Sequence, residues 1–138
     1  MFYLFTYGTL MKDQLRHGIL ANEKFIQKYD LHGIKLYNFY EESDDGSVQN
    51  YPVSLIGNDK DIALGEIYLC HDYLRPYLDQ MEQVGTLYGI YSFPLKIKGK
   101  KKDVLVYIGK DSTWKKYVGL PFLQTHPTNT IWKPKKND

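Results

Sequence analysis

Among the side chains that could do chemistry, the carboxylate of Glu82 has the most defined setting in the sequence. It lies in the segment DYLRPYLDQMEQVG, residues 72–85, where apolar residues recur at i, i+3, i+4 and i+7: Leu74, Tyr77, Leu78 and Met81. This spacing predicts an amphipathic helix whose apolar stripe lies against a sheet. At about 100° per residue, Asp72 and Asp79 lie towards solvent, whereas Glu82 lies roughly 40° beyond Leu78, at the edge of the stripe. Such a carboxylate can simply reach water, or it can reach a cavity where desolvation raises its pKa and prepares it for proton transfer.

A second candidate is the tetrapeptide Tyr-Gly-Thr-Leu at positions 7–10, which ends an aromatic β-type run close to the N-terminus. A glycine turn after a strand can be only a hairpin corner. It can also present backbone N–H groups to an anionic ligand, because glycine lets a ligand approach the chain closely. The tetrapeptide by itself fits both interpretations.

The other reactive side chains give no indication of a metal or cofactor site. The histidines are scattered without the short spacing of a zinc site: His17, His32, His71 and His126. Cys70 is the single cysteine, so an internal disulfide is excluded, and its place in the strand-like GEIYLC predicts a packing role. Glu41 and Glu42 are adjacent carboxylates, but EESDDGS has the composition of an exposed turn. We therefore predict no metal and no cofactor.

Length and charge narrow the class of protein. The chain has 138 residues, which fits one domain spanning residues 1–138, with an irregular tail from about residue 125 that ends in a disordered terminus. Lys and Arg total 18 against 16 Asp and Glu, and the net charge of +2 favours neither nucleic acid nor membrane as a partner. The N-terminal MFYLFTYGTL has neither the basic segment of a signal peptide nor a spanning apolar run, so we expect a cytoplasmic protein.

The elements that must position these residues are mostly strands. Aromatic and β-branched residues, bounded by Gly, Asn, Asp or Lys, predict strands at residues 2–7, 25–29, 34–40, 51–56, 63–70, 88–97 and 103–108. KGKKK at 98–102 is typical of a hairpin connection. In the one clear helix, Pro76 suits the first turn and Gly85 suits the C-terminal end.

Five blocks, in order, carry a resemblance to a known family: FTYGTL at 5–10, NYPVSLIG at 50–57, ALGEIYLCHDYLRPYLDQME at 63–82, LYGIY at 87–91 and VLVYIG at 104–109. With these blocks the chain resembles the gamma-glutamylcyclotransferase-like superfamily, and most closely the gamma-glutamylamine cyclotransferase branch with its short bacterial relatives. The resemblance implies an α+β fold, with a small mixed, largely antiparallel, β-barrel-like sheet flanked by a short helix. It also implies a pocket between the tetrapeptide loop and the helix of Glu82.

The same resemblance assigns roles to residues of the pocket. It implies that Glu82 is the catalytic acid/base, and that the γ-glutamyl group is bound by the backbone N–H groups of the loop: Tyr7, Gly8, Thr9 and Leu10. Tyr88, like Tyr7, can form a wall of the substrate site or serve only in packing. Thr9 can face the ligand or make a hydrogen bond within the turn.

The implied activity is cofactor-free cyclisation of a small-molecule γ-glutamyl substrate, a γ-glutamylamine in the first place, with release of 5-oxoproline. The alternatives are cyclisation of another γ-glutamyl conjugate and a binding protein that keeps the pocket with little turnover. Gly89 and Ile90 stand where relatives often carry a polar pair with an arginine, and residues 12–23, which shape the pocket rim in relatives, match no assigned pattern. The resemblance therefore assigns no residue to the leaving-group end of the substrate.

Overall fold

The structure is a computed structural model that describes residues 1–135, and the disordered terminus expected at the end of the tail lies outside these residues. Strands and short helices follow one another as β1 (Phe2–Thr6), β2 (Lys24–His32), β3 (Ile34–Glu42), β4 (Val48–Ile56), β5 (Ile62–Cys70), α1 (Leu74–Met81), β6 (Tyr88–Ile97), β7 (Lys100–Gly109), α2 (Asp111–Trp114) and β8 (Leu123–Thr125). All seven expected segments are strands, so this part of the prediction is confirmed. The elements α2 and β8 were not predicted.

The strands form two hydrogen-bonded sheets, and the expected α+β class is confirmed. The larger sheet has the order β2-β5-β1-β7-β6, and the smaller one has the order β4-β3-β8. β1 is antiparallel to β5 and parallel to β7, whereas the other strand pairs of residues 1–135 are antiparallel. The predicted mixed, largely antiparallel sheet is thus present, although its division into two sheets makes barrel-like a loose description.

Successive residues of a strand point to opposite faces of its sheet. In the larger sheet both faces are covered by apolar clusters. Phe5 packs with Ile34, Val104 and Val106 in a cluster that includes residues of both sheets. Leu4, its neighbour in β1, packs on the other side in a cluster of eight buried residues: Leu4, Leu10, Leu20, Tyr68, Cys70, Leu78, Tyr88 and Tyr107. The burial of Cys70 in this second cluster confirms its expected packing role.

Helix α1 lies over the second cluster and ends beside the predicted site. It is shorter than the expected 72–85, because Gln83 has a left-handed φ of 48° that stops it before Gly85. Pro76 lies in the first turn, as expected. Tyr77 was wrongly assigned to the buried stripe: it is 56 % exposed, whereas Leu78 is fully buried. An eight-residue helix contacts the sheet through a narrow stripe, formed here by Leu78 with the partly buried Leu74 and Met81.

Two further connections complete the fold. The hairpin between β6 and β7 turns at Lys98 and Gly99, whose φ angles of 50° and 82° suit the tight turns that match strand twist. After β8 the chain is irregular up to residue 135, and Trp132 is buried with its indole N–H donating to Asn38 Oδ1 at 2.9 Å. The tail therefore packs onto the smaller sheet. No helix within residues 1–135 has the length and apolar character needed to span a membrane.

Candidate active site

A cavity of about 640 Å³ lies where the end of α1, the loop after β1 and the first half of β4 meet. Its wall is completed by the start of β6 and by the tail at Trp132 and Pro134. The predicted site residues all line this one cavity: Tyr7, Gly8, Thr9, Leu10, Glu82 and Tyr88. Residues from three separated parts of the sequence are thus brought together.

Glu82 lies directly after the last residue of α1, and its N–H still donates to the Leu78 carbonyl at 2.9 Å. The helix therefore sets the direction of the side chain at the cavity. The carboxylate has no hydrogen-bond or ion-pair partner among residues 1–135. The side chain is partly buried, and the resulting desolvation disfavours the charged form. It raises the pKa of Glu82 from 4.5 to about 7, with the positive charge of Arg16 acting in the opposite direction. A carboxyl group with this pKa can both accept and return a proton near neutral pH.

The loop after β1 is tied down through its carbonyl groups. Gly8 O accepts the N–H of Met11 at 3.0 Å, and Thr9 O accepts the N–H of Arg16 at 2.7 Å. Leu10 O lies 2.9 Å from His17 Nδ1, which must be the donor because a carbonyl oxygen can only accept. The loop is further held by Glu66, whose carboxylate accepts the N–H of Lys12 at 2.8 Å. These contacts fix the backbone at the cavity wall.

The N–H groups of the same loop are not used in this way. Those of Gly8, Thr9 and Leu10 donate to no acceptor among residues 1–135. Backbone donors without partners beside a cavity can bind an anionic or partly negative oxygen. The hairpin-corner interpretation of the tetrapeptide does not account for them, because β2 begins only at Lys24.

Gly8 also has a packing role that the sequence did not reveal. A Cβ built on Gly8 would lie 2.4 Å from Pro52 Cγ and 2.9 Å from Pro52 Cδ. A proline ring is closed onto its own backbone and cannot swing aside, so a side chain at position 8 would force the loop and β4 apart. Close contact with Pro52 is therefore one reason for a glycine here, in addition to any approach by a ligand.

The two tyrosines of the site are buried, and their hydroxyl groups are engaged with the protein. Tyr7 Oη donates to the Tyr107 carbonyl at 2.7 Å and lies 2.6 Å from Ser54 Oγ. Tyr88 Oη donates to the Pro52 carbonyl at 3.3 Å. Burial is the main cause that raises the pKa of both phenols, and the nearby charge of Glu82 adds to it. Both residues therefore act as neutral walls of the cavity.

Two side chains near the site were not predicted correctly. Asp79 was placed towards solvent, but its carboxylate accepts a hydrogen bond from Tyr107 Oη at 2.6 Å and pairs with Arg75 at 3.2 Å. The tyrosine comes from β7, so the helical wheel could not reveal this contact. Arg16 was not singled out at all, because it lies in an irregular loop without periodicity, yet it lines the cavity.

A metal centre is not indicated by the arrangement of side chains. Within residues 1–135 there is no group of three or more His, Cys, Asp or Glu residues that could hold a metal ion. The cavity is lined by one carboxylate, Glu82, and by one cation, Arg16, among the residues described. The chemistry available to it is therefore that of a single proton-transferring group, backbone donors and one guanidinium.

The sequence matches the model of the family described as gamma-glutamyl cyclotransferase, AIG2-like, over residues 4–125. This range includes every element from within β1 to the end of β8, and it contains the whole predicted site. No curated protein sequence is similar enough to this chain to count as a match.

Solved structures with the same fold share little sequence with this chain. An AIG2-like protein from Mus musculus is 18% identical with a TM-score of 0.60, and the match covers 100% of this chain and 99% of that one. An uncharacterized protein from Pyrococcus horikoshii is 22% identical with a TM-score of 0.56 over 80% of each chain. A structure described as gamma-glutamyl cyclotransferase is 17% identical with a TM-score of 0.59, over 79% of this chain and 66% of that one. At these identities the likeness shows the fold.

Proposed function

The chain belongs to the gamma-glutamyl cyclotransferase, AIG2-like family, and we propose that it cyclises a γ-glutamylamine to release 5-oxoproline and a free amine. A γ-glutamyl-lysine isopeptide fragment is an example of such a substrate. The observation that carries the proposal is the carboxyl group of Glu82, whose pKa is raised to about 7 in a cavity also lined by the loop with unpartnered N–H groups. A general acid/base is most effective when its pKa lies near the working pH.

The reaction needs no nucleophile from the protein, because the substrate supplies its own α-amine. Glu82 accepts a proton from the α-ammonium group, and the free amine nitrogen attacks the γ-carbonyl carbon, forming the C–N bond of the new ring. The original amide C–N bond then breaks as Glu82 returns the proton to the leaving nitrogen. The products are 5-oxoproline and the amine, and the carboxylate is restored, so one residue can serve both proton transfers.

The loop after β1 supports the same reaction through its backbone. Negative charge develops on the γ-carbonyl oxygen as the amine attacks, and the substrate also carries an α-carboxylate. The N–H groups of Gly8, Thr9 and Leu10 are suited to bind either oxygen. Tyr7 and Tyr88 exclude water on the flanks of the site, which strengthens these interactions.

The size of the cavity is compatible with a substrate larger than the cyclising group. Its volume of about 640 Å³ lies within the range of roughly 300–1,000 Å³ that is typical of pockets for drug-sized ligands. A leaving amine can therefore remain inside the cavity during the reaction.

A panel of γ-glutamyl compounds tests this proposal. Purified protein is incubated with γ-glutamyl amines and γ-glutamyl amino acids, and 5-oxoproline is measured by mass spectrometry. We expect release from at least one γ-glutamylamine, with the same yield in the presence of EDTA. Release only from γ-glutamyl amino acids would move the activity to that class of conjugate. Release from none, together with binding of 5-oxoproline, would favour a binding protein.

A further inference from the structure

Arg16 is held in a defined place at the cavity although its loop has no strand or α-helix. Its own N–H donates to Thr9 O at 2.7 Å, and the ring of the next residue, His17, is bonded to Leu10 O at 2.9 Å. The segment around Arg16 is therefore fastened to the tetrapeptide loop at two adjacent points. Its position relative to that loop is set by the backbone.

The guanidinium group of Arg16 has no partner of its own. It makes neither an ion pair nor a side-chain hydrogen bond to any of the residues the structure describes. Its positive charge nevertheless opposes the rise that burial causes in the pKa values of Glu82, Tyr51 and Tyr88, which all line the cavity. The group is thus close enough to act on the interior while it stays available to a ligand.

Burial distinguishes the two ends of the cavity. Tyr7 and Tyr88, beside Glu82, are buried, whereas Arg16 is exposed at the surface. The γ-glutamyl group must lie at the buried end, because its α-amine has to reach Glu82. Arg16 is an exposed lining residue, so a part of the substrate that extends beyond the γ-glutamyl group towards solvent can reach it. Since the other lining residues within 1–135 carry no positive charge, electrostatic selection at this end depends on Arg16.

We propose that Arg16 binds a carboxylate on the leaving amine, so that the chain prefers γ-glutamyl compounds whose released amine bears a carboxylate over those that release a neutral or cationic amine. The proposal rests on the cyclotransfer proposed above. A guanidinium group presents a fork of N–H donors that matches the two oxygens of a carboxylate, and it repels a second cation. Arg16 is in this account a specificity-determining residue for the substrate.

The test uses three γ-glutamyl substrates of matched length, in which the leaving amine is aminohexanoate, hexylamine or diaminohexane. The far end of the leaving amine is then a carboxylate, a methyl group or an ammonium group. For the wild type we expect kcat/KM to fall in that order. Arg16→Gln should lower kcat/KM for the aminohexanoate substrate roughly 10-fold, mainly by raising KM. A loss of this size is expected when a hydrogen bond to a charged group is removed. Above the midpoint of the pH profile, where Glu82 is ionised in both proteins, the same variant should change kcat/KM for the hexylamine substrate by less than about 2-fold, because this substrate offers Arg16 no carboxylate. Arg16→Lys should give an intermediate loss.

Lys24→Gln is the matched control, since it removes one positive charge from the exposed start of β2, outside the cavity. It should leave all three rates unchanged. An equal fall for all three substrates in Arg16→Gln, with the acidic limb of the pH profile moved to higher pH, would overturn the proposal and show that Arg16 acts only on Glu82. Unchanged kinetics in Arg16→Gln would overturn it as well.

The proposal can be separated from the function on which it rests. If the wild type releases 5-oxoproline from none of the three compounds, the cyclotransfer fails, but binding can still be measured by thermal shift. Greater stabilisation of the wild type than of Arg16→Gln by the aminohexanoate compound alone would support carboxylate recognition. Equal stabilisation of both proteins by this compound would overturn it.

Discussion

The phenol oxygen of Tyr7 lies 2.6 Å from the hydroxyl oxygen of Ser54, and its proton is donated to the Tyr107 carbonyl at 2.7 Å. Ser54 belongs to β4 of the smaller sheet and Tyr107 to β7 of the larger sheet. One hydroxyl group therefore connects both sheets at the residue that begins the tetrapeptide loop. The loop at the candidate active site is fixed to the core at its first residue.

Removing this hydroxyl group should affect stability more than substrate recognition. Tyr7→Phe removes one hydrogen bond to the buried Tyr107 carbonyl and keeps the longer one from Ser54, at 3.2 Å. We expect a loss of about 1–2 kcal/mol in the free energy of unfolding, measured by urea denaturation. KM should change by less than about 3-fold, because the phenol is engaged with the protein and serves as a wall. A large rise in KM without loss of stability would mean that the hydroxyl group binds substrate directly.

The contact between Gly8 and Pro52 allows the packing role of the glycine to be separated from its role towards a ligand. Gly8→Ala places a Cβ 2.4 Å from Pro52 Cγ, and such overpacking should lower the free energy of unfolding by about 1–3 kcal/mol. In a Pro52→Ala background the same change should have a much smaller effect, which a double-mutant cycle in urea would measure. If the double variant is stable but inactive, position 8 must stay open for substrate. Full turnover by the stable double variant would show that packing alone requires the glycine.

The elements around the site could be predicted where residues close together in the sequence determine the structure. Strands β1 to β7 arise from continuous aromatic and β-branched runs, and the stripe on α1 placed Glu82 at its buried edge. The raised pKa of Glu82 was anticipated only as a possibility, because the cavity that desolvates it is formed by the loop after β1, residues of four strands and the tail.

The remaining features depend on contacts between distant parts of the chain. β8 has three residues and no pattern of its own, and it exists because it pairs with β3 from Tyr37 to Phe39. Asp79 was misplaced because its hydrogen-bond partner, Tyr107, lies 28 residues away in β7. Arg16 was missed because backbone hydrogen bonds, which no residue pattern reports, hold it at the cavity.

The pH dependence of turnover follows from the pKa of Glu82. Since the ionised carboxylate is the base that accepts the ammonium proton, kcat/KM should rise with pH and level off above a midpoint near 7. This acidic limb should be absent from the residual activity of Glu82→Gln. A midpoint near 4.5, the ordinary value for a glutamate, would show that the carboxylate is well solvated and would contradict the site geometry.

The same shift in pKa predicts how stability depends on pH. Between about 4.5 and 7 the folded state keeps a proton on Glu82 that the unfolded state has lost, so this residue lowers stability as pH rises through that window. Glu82→Gln removes the effect. It should match the wild type below pH 4.5 and exceed it by on the order of 1–3 kcal/mol at pH 8, measured by urea denaturation. Glu42→Gln, the same change on an exposed side chain, is the control. Greater stability of the wild type at pH 8 would show that the carboxylate has stabilising partners.

The most direct measurement of the central claim compares turnover and ligand binding in Glu82→Gln and in the control Glu42→Gln. The amide keeps the shape of the glutamate but cannot accept the ammonium proton, so 5-oxoproline release should fall roughly 10²- to 10⁴-fold in Glu82→Gln and stay unchanged in the control. Saturating 5-oxoproline, at about 100 times its dissociation constant, should stabilise both variants and the wild type by roughly 2.7 kcal/mol, raising Tm by several degrees. Normal turnover by Glu82→Gln would contradict the account, because the proton would then be transferred by another group.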